Sequence, residues 1–127
     1  MSRQSFPPEK TAVRSARRFV TEALAAEDAE LSANAVLMVS ELASNSIRHA
    51  KSQFTVNVDI TAEDVRVEVT DQGAGTPNKR NPTPDDVTGR GLLIIDNLAD
   101  GWGTTKRGGR TTVWFVLHRQ TSRLVAR

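Results

Sequence analysis

Apolar residues recur through the first part of the chain at the three- and four-residue intervals of a helix. Val13, Ala16, Val20, Ala23 and Leu24 mark one face of residues 9–26, and beyond an acidic turn (Glu27, Asp28, Glu30) the set Leu31, Ala35, Met38, Leu42 and Ile47 runs to about Ala50. This predicts two helices after a short lead-in holding Phe6, Pro7 and Pro8, the first amphipathic and the second long and largely buried. Lys51 and Ser52 break the pattern, and the period falls to two: Phe54, Val56, Val58 and Ile60 alternate with Thr55, Asn57 and Asp59. Val65, Val67 and Val69 then alternate with Arg66, Glu68 and Thr70, and the linker 61–64 is short enough to make these strands an antiparallel hairpin. Residues 78–88 are polar and carry Pro82 and Pro84, which suit a loop. Gly89-Arg90-Gly91 then opens a helical run with Leu92, Leu93, Ile94, Ile95 and Leu98. Trp102 and a final hairpin follow, its last strand (111–118) placing Val113, Phe115 and Leu117 on one side and Trp114 and Val116 on the other.

Helices first, strands in the middle, then a helix and two strands predict an α/β fold of the α+β two-layer kind. Its mostly antiparallel, mixed sheet is covered on one face by about three helices, without the βαβ rhythm of a doubly wound fold. No repeat or linker divides the 127 residues, so one domain spanning 1–127 is expected, and a composition of 38% hydrophobic and 25% charged residues suits it. No apolar stretch approaches the ~20 residues of a membrane span, and no signal-peptide pattern opens the chain, so a cytoplasmic protein is expected with no membrane partner. Cysteine is absent, which excludes disulfides, thiolate metal sites and cysteine nucleophiles, and two distant histidines (His49, His118) make a histidine metal site poor. The net charge of +2 is spread over small clusters, Arg14, Arg17 and Arg18 on the first helix and Arg119, Arg123 and Arg127 in the tail. Without interleaved stacking aromatics these read as solvated faces or a protein contact, not a direct nucleic-acid interface.

Three segments carry candidate chemistry. Glu41, Asn45 and His49 follow one another at intervals of four on the second helix and share a face. On an otherwise buried helix such a row needs partners or an open cleft. Asn45 offers a neutral oxygen suited to Mg²⁺, and Glu41 a carboxylate able to take a proton from a hydroxyl, although alone the row reads more readily as a solvated stripe. Asp71-x-Gly73-x-Gly75 directly follows a strand. A carboxylate there can accept from the exocyclic amine of adenine and repels the carbonyl that guanine presents, while the glycines permit close backbone approach; the same residues also make an ordinary turn. Gly89-Arg90-Gly91 opens a helix, where backbone N–H groups can meet phosphate oxygens, but it is neither a Walker A loop nor a GxGxxG fingerprint.

In their order and spacing these segments resemble the N box (Glu41-x-x-x-Asn45), G1 box (Asp71-x-Gly73-x-Gly75) and G2 box (Gly89-x-Gly91) of the GHKL, or Bergerat-fold, ATPases. Thr111, in Arg110-Thr111-Thr112-Val113, resembles the threonine that the family carries near adenine. The phrases Ser-Glu-Leu and Gly-Arg-Gly-Leu and the short lid, about residues 76–88, point to the anti-sigma-factor serine/threonine kinase branch. The resemblance implies that Asn45 binds Mg²⁺, Asp71 reads the adenine of ATP, Glu41 is the general base and Gly73 and Gly75 shape the base pocket. Gly89 and Gly91 would lie against the phosphates, and His49 would play a structural or supporting part. It also implies partners: a sigma factor and a STAS-domain anti-anti-sigma protein, phosphorylated on serine, with a homodimer through the sheet or the first helix a further possibility. Two positions depart from the pattern. Val87 stands where the family's kinases carry an arginine near the γ-phosphate, leaving Arg90, or Lys79 and Arg80 on the lid, as sources of that charge. Arg110 stands where a glycine often precedes the threonine, and would either narrow the pocket or point to solvent. A nucleotide-gated binding module with little or no phosphotransfer is the alternative that these departures leave open.

Overall fold

The computed structural model describes residues 1–72 and 89–119. In chain order they form β1 (Ser2–Phe6), α1 (Thr11–Ala23), α2 (Ala29–Asn45), a π-helical turn (Ser46–Ala50) continuing α2, β2 (Phe54–Ile60), β3 (Asp64–Asp71), α3 (Gly89–Leu98), β4 (Gly101–Arg107) and β5 (Arg110–His118). The strands make one sheet in the order β1-β2-β3-β5-β4, and every pairing is antiparallel. The α/β sandwich expected from the sequence is thus present, with a more uniform sheet than the mixed one anticipated.

Alternation along the strands sorts the sheet into two unlike faces. Phe54, Val56 and Val58 of β2, Val65, Val67 and Val69 of β3, and Phe115 and Leu117 of β5 are buried in a single cluster with the helices. In α1 that cluster takes Ala12, Ala16 and Val20, one helical turn apart, while Arg14, Arg17 and Arg18 stay exposed. In α2 it takes Leu31, Ala35, Met38, Val39, Leu42 and Ala43. Asp28 caps α2, its carboxylate accepting from the backbone N–H groups of Glu30 and Leu31 at 3.1 and 3.2 Å, a contribution of about 1 kcal/mol to the helix. In α3 Ile95 is buried, and Asp96 Oδ1 accepts from Trp102 Nε1 at 3.0 Å, holding β4 beside the helix.

The turns follow from local chemistry. Thr61 closes the β2–β3 hairpin through its Oγ1, which accepts from the N–H groups of Glu63 and Asp64. The β4–β5 hairpin turns on Gly108 and Gly109, both at positive φ (57° and 80°), where a Cβ would be strained. Two features depart from the sequence expectation. The lead-in is an edge strand, β1, whose only buried residue is Phe6, stacked on Phe54 at 5.3 Å. Arg119, grouped above with a solvated basic tail, is an anchor. It forks onto Glu27 at 2.9 and 3.1 Å, donates to the carbonyl of Thr61 at 2.8 Å, and its own N–H meets the carbonyl of Glu63. Arg123 and Arg127 lie outside the described residues.

Candidate functional site

The site forms where the end of α2 meets the end of β3. Asp71 is the last residue of β3 and faces Thr111 of β5 directly in register. Parity with Val69 and Val113 puts both side chains on the helix-covered face, at the open end of the core. Ser46 lies above them. It is the one buried polar residue among those described, 5% exposed, and its Oγ donates to Asp71 Oδ2 at 2.8 Å. A carboxylate held by a buried hydroxyl keeps a fixed aim, and its two oxygens carry lone pairs for more than one donor. The sequence reading passed over Ser46, although it lies four residues past Leu42, on the apolar stripe of α2, where a hydroxyl needs a reason.

The π-helical turn sets this geometry. Lys51 N–H bonds back to the carbonyl of Ser46, five residues earlier, and Lys51 itself ends the helix in the left-handed region at φ 53°. The wider turn breaks the four-residue phase that would carry the row of Glu41 and Asn45 on to His49. Glu41 and Asn45 are half-buried on α2, whereas His49 is exposed, so the structure joins the first two and separates the third. Asn45 Oδ1 accepts from Arg48 Nη2 at 2.7 Å. The backbone N–H of Gln72 donates to Ser52 Oγ at 3.2 Å, tying the residue after Asp71 to the loop that follows the π turn.

Arg110 is resolved by strand parity. It lies on the opposite face from Thr111, so it does not narrow the space beside Asp71. Register places Lys106 of β4 next to Thr111 on the helix-covered face, giving a row of Phe54, Asp71, Thr111 and Lys106 across four strands. Lys106 is an exposed cation that the sequence reading did not single out. Gly89, Arg90 and Gly91 form the first turn of α3, which packs on α2. Gly73, Gly75, Val87 and the lid, with Lys79 and Arg80, lie outside the described residues.

The donor set fits a nucleotide better than a free metal. Among the described residues no three acidic, histidine or cysteine side chains gather round a common point. Asn45 Oδ1, turned toward a guanidinium, is an oxygen suited to positive charge; Mg²⁺ commonly takes few protein ligands and completes its shell with phosphate and water. Asp71 and Thr111 side by side supply an acceptor and a hydroxyl at a strand end, enough to orient one heterocyclic edge.

The sequence profile of the family described as histidine kinase-like ATPase domain matches residues 6–117, most of the chain. The fold is similar to that in the crystal structure of the RsbU and RsbW domains of Rv1364c from Mycobacterium tuberculosis, with a TM-score of 0.67 and 18% identity. The alignment covers 94% of this chain and 33% of that one, so this chain spans about a third of its length. At this identity the likeness is one of fold.

Proposed function

The chain belongs to the histidine kinase-like ATPase domain family, and from that premise we propose that residues 1–127 form one cytoplasmic ATP-binding domain acting as an anti-sigma factor and protein serine/threonine kinase. In this reading it binds a sigma factor in one state, and in another phosphorylates a STAS-domain anti-anti-sigma protein. The observation that carries the nucleotide part is the Ser46–Asp71 hydrogen bond at 2.8 Å with Thr111 in register opposite. It supports the reading by giving the carboxylate a fixed aim, which in this proposal is toward adenine's amine. That no described helix is long and apolar enough to cross a membrane is compatible with the proposed location.

The chemistry follows from the chain's own groups. Asp71 accepts from the exocyclic amine and Thr111 hydrogen-bonds the same edge of the base; Gly73 and Gly75 give the base room. Asn45 would hold Mg²⁺, which neutralises charge on the phosphates when bound. The backbone N–H groups of Gly89, Arg90 and Gly91, at the start of α3, face phosphate oxygens. Glu41, one turn before Asn45, takes the proton of the partner's serine hydroxyl. The serine oxygen then bonds to the γ-phosphorus as the bridging bond to ADP breaks. The nucleotide-gated module without transfer is the second reading, favoured by Val87 in place of a cation.

Calorimetric titration with Mg-ATP and Mg-GTP, with Asp71→Asn beside wild type, tests the site. Preference for ATP that weakens at least ~ten-fold in the variant supports it; equal binding of both nucleotides, or an unaffected variant, overturns it. γ-Labelled ATP with a STAS-domain protein then separates kinase from gated module.

A further inference from the structure

The face of the sheet turned away from the helices has no covering layer among the described residues, and its chemistry is polar and basic. Ser5, Thr55, Thr70, Thr112 and Thr105 stand in register across β1, β2, β3, β5 and β4, a row of hydroxyls crossing the whole sheet. Two neighbouring pairs bond to each other at 2.8 Å, Ser5 with Thr55 and Thr70 with Thr112. The row floors a depression of about 480 Å³ flanked by Arg3, Arg107 and Arg110. All three arginines are exposed, and none forms an ion pair with a described residue. The carboxylates of this face lie toward and beyond one end of the depression: Glu68, opposite Asn57, pairs with Arg66, Asp64 pairs with His118, and Asp59 is exposed two residues past Asn57. Asp71, at the pocket's end, sends its carboxylate to Ser46 on the other side of the sheet.

We propose that this face is a docking surface for an extended acidic segment of a partner protein, laid across the strands over the hydroxyl row. Span argues for a peptide: Arg3 on β1 and Arg107 on β4 stand four strand spacings apart, about 19 Å, beyond the reach of a single phosphate. Nucleic acid fits poorly because the one aromatic ring of this face is occupied on both sides. The Arg66 guanidinium sits 4.4 Å from the Trp114 ring, and Gly103 lies so close beneath that a Cβ there would come within 2.7 Å of it. No ring surface is left for a base to stack on. A second copy fits poorly too, since the pocket offers hydroxyls and like charges in place of the apolar surface that a sheet-on-sheet dimer buries.

The test is fluorescence anisotropy with a fluorescein-labelled heptapeptide of alternating glutamate and serine, run at low and physiological salt. It compares wild type, Arg3→Glu/Arg107→Glu/Arg110→Glu, and Arg14→Glu/Arg17→Glu/Arg18→Glu, which reverses three exposed charges on α1. Salt-sensitive binding that falls at least ~ten-fold in the sheet variant and is retained in the α1 variant supports the proposal. Absence of binding, or equal loss in both variants, overturns it. So does tighter binding of a labelled single-stranded oligonucleotide than of the peptide, or a wild-type dimer in sedimentation that the sheet variant dissociates. Thermal melts establish that each variant is folded, and Arg3→Gln/Arg107→Gln/Arg110→Gln repeats the comparison if charge reversal prevents folding. None of these arms depends on nucleotide binding.

Discussion

Replacing Ser46 by alanine deletes one oxygen atom from the centre of the site. That oxygen belongs to a residue 5% exposed and donates to a carboxylate at 2.8 Å. A hydrogen bond to a charged group contributes about 1.5–3 kcal/mol, while alanine's better helix propensity returns about 0.5 kcal/mol. The net loss is about 1–2.5 kcal/mol, which in a domain of this size lowers Tm by about 4–10 °C. Asp71 has contacts besides Ser46, so the pairwise part is isolated by a double-mutant cycle of Ser46→Ala, Asp71→Ala and the double variant in urea unfolding. A coupling energy of about 1 kcal/mol or more is expected, because the second deletion removes a partner already lost. The same Ser46→Ala protein should bind Mg-ATP about ten-fold more weakly, as the carboxylate loses its aim. Additivity within ~0.5 kcal/mol together with unchanged ATP affinity would refute the idea that Ser46 positions Asp71.

Three further substitutions address the remaining groups. Glu41→Ala should abolish phosphotransfer to a STAS-domain partner while leaving nucleotide affinity within about three-fold, since a base acts on the hydroxyl and not on ATP; retained transfer removes Glu41 from that role. Asn45→Ala should shrink the difference between ATP affinities measured with Mg²⁺ and with chelator by roughly ten-fold, and an unchanged difference removes Asn45 from the metal. Gly103→Ala puts a Cβ 2.7 Å from Trp114 Cζ2 and 2.9 Å from Cε2, an overpacking worth about 1–3 kcal/mol. A melting temperature equal to wild type would show that the indole does not lie on that glycine.

What the sequence disclosed tracks the strength of its periodic signals. Valines at every second position fixed the faces of β2 and β3, and their pairing followed from a linker too short for anything but a hairpin. β1 gave no such signal, because Ser2, Arg3, Gln4 and Ser5 are polar on both faces of an edge strand and two prolines follow Phe6 at once. The candidate site was legible as three separate segments, but not as a geometry. Asp71 and Thr111 meet only through pairing between β3 and β5, strands far apart in sequence, and no local rule sets that register. His49 was misplaced because a π turn is invisible to a reading that assumes a constant helical phase. Ser46, passed over on an apolar stripe, and Arg119, grouped with a solvated tail, share another cause: only tertiary contact gives each its partner.

Arg119 lies at the far end of the sheet from Asp71, and its contacts staple together three segments: the turn between α1 and α2, the β2–β3 hairpin and the end of β5. At the other end, where α2 gives way to the π turn, the links include the one-point hydrogen bonds of Ser46 to Asp71 and of Gln72 to Ser52. The sandwich therefore resembles a book bound along one edge. Local opening costs least at the end held by the fewest such staples, so in the proposed nucleotide reading the Asp71 end is the one expected to yield to a ligand while the Arg119 end keeps the strands in register.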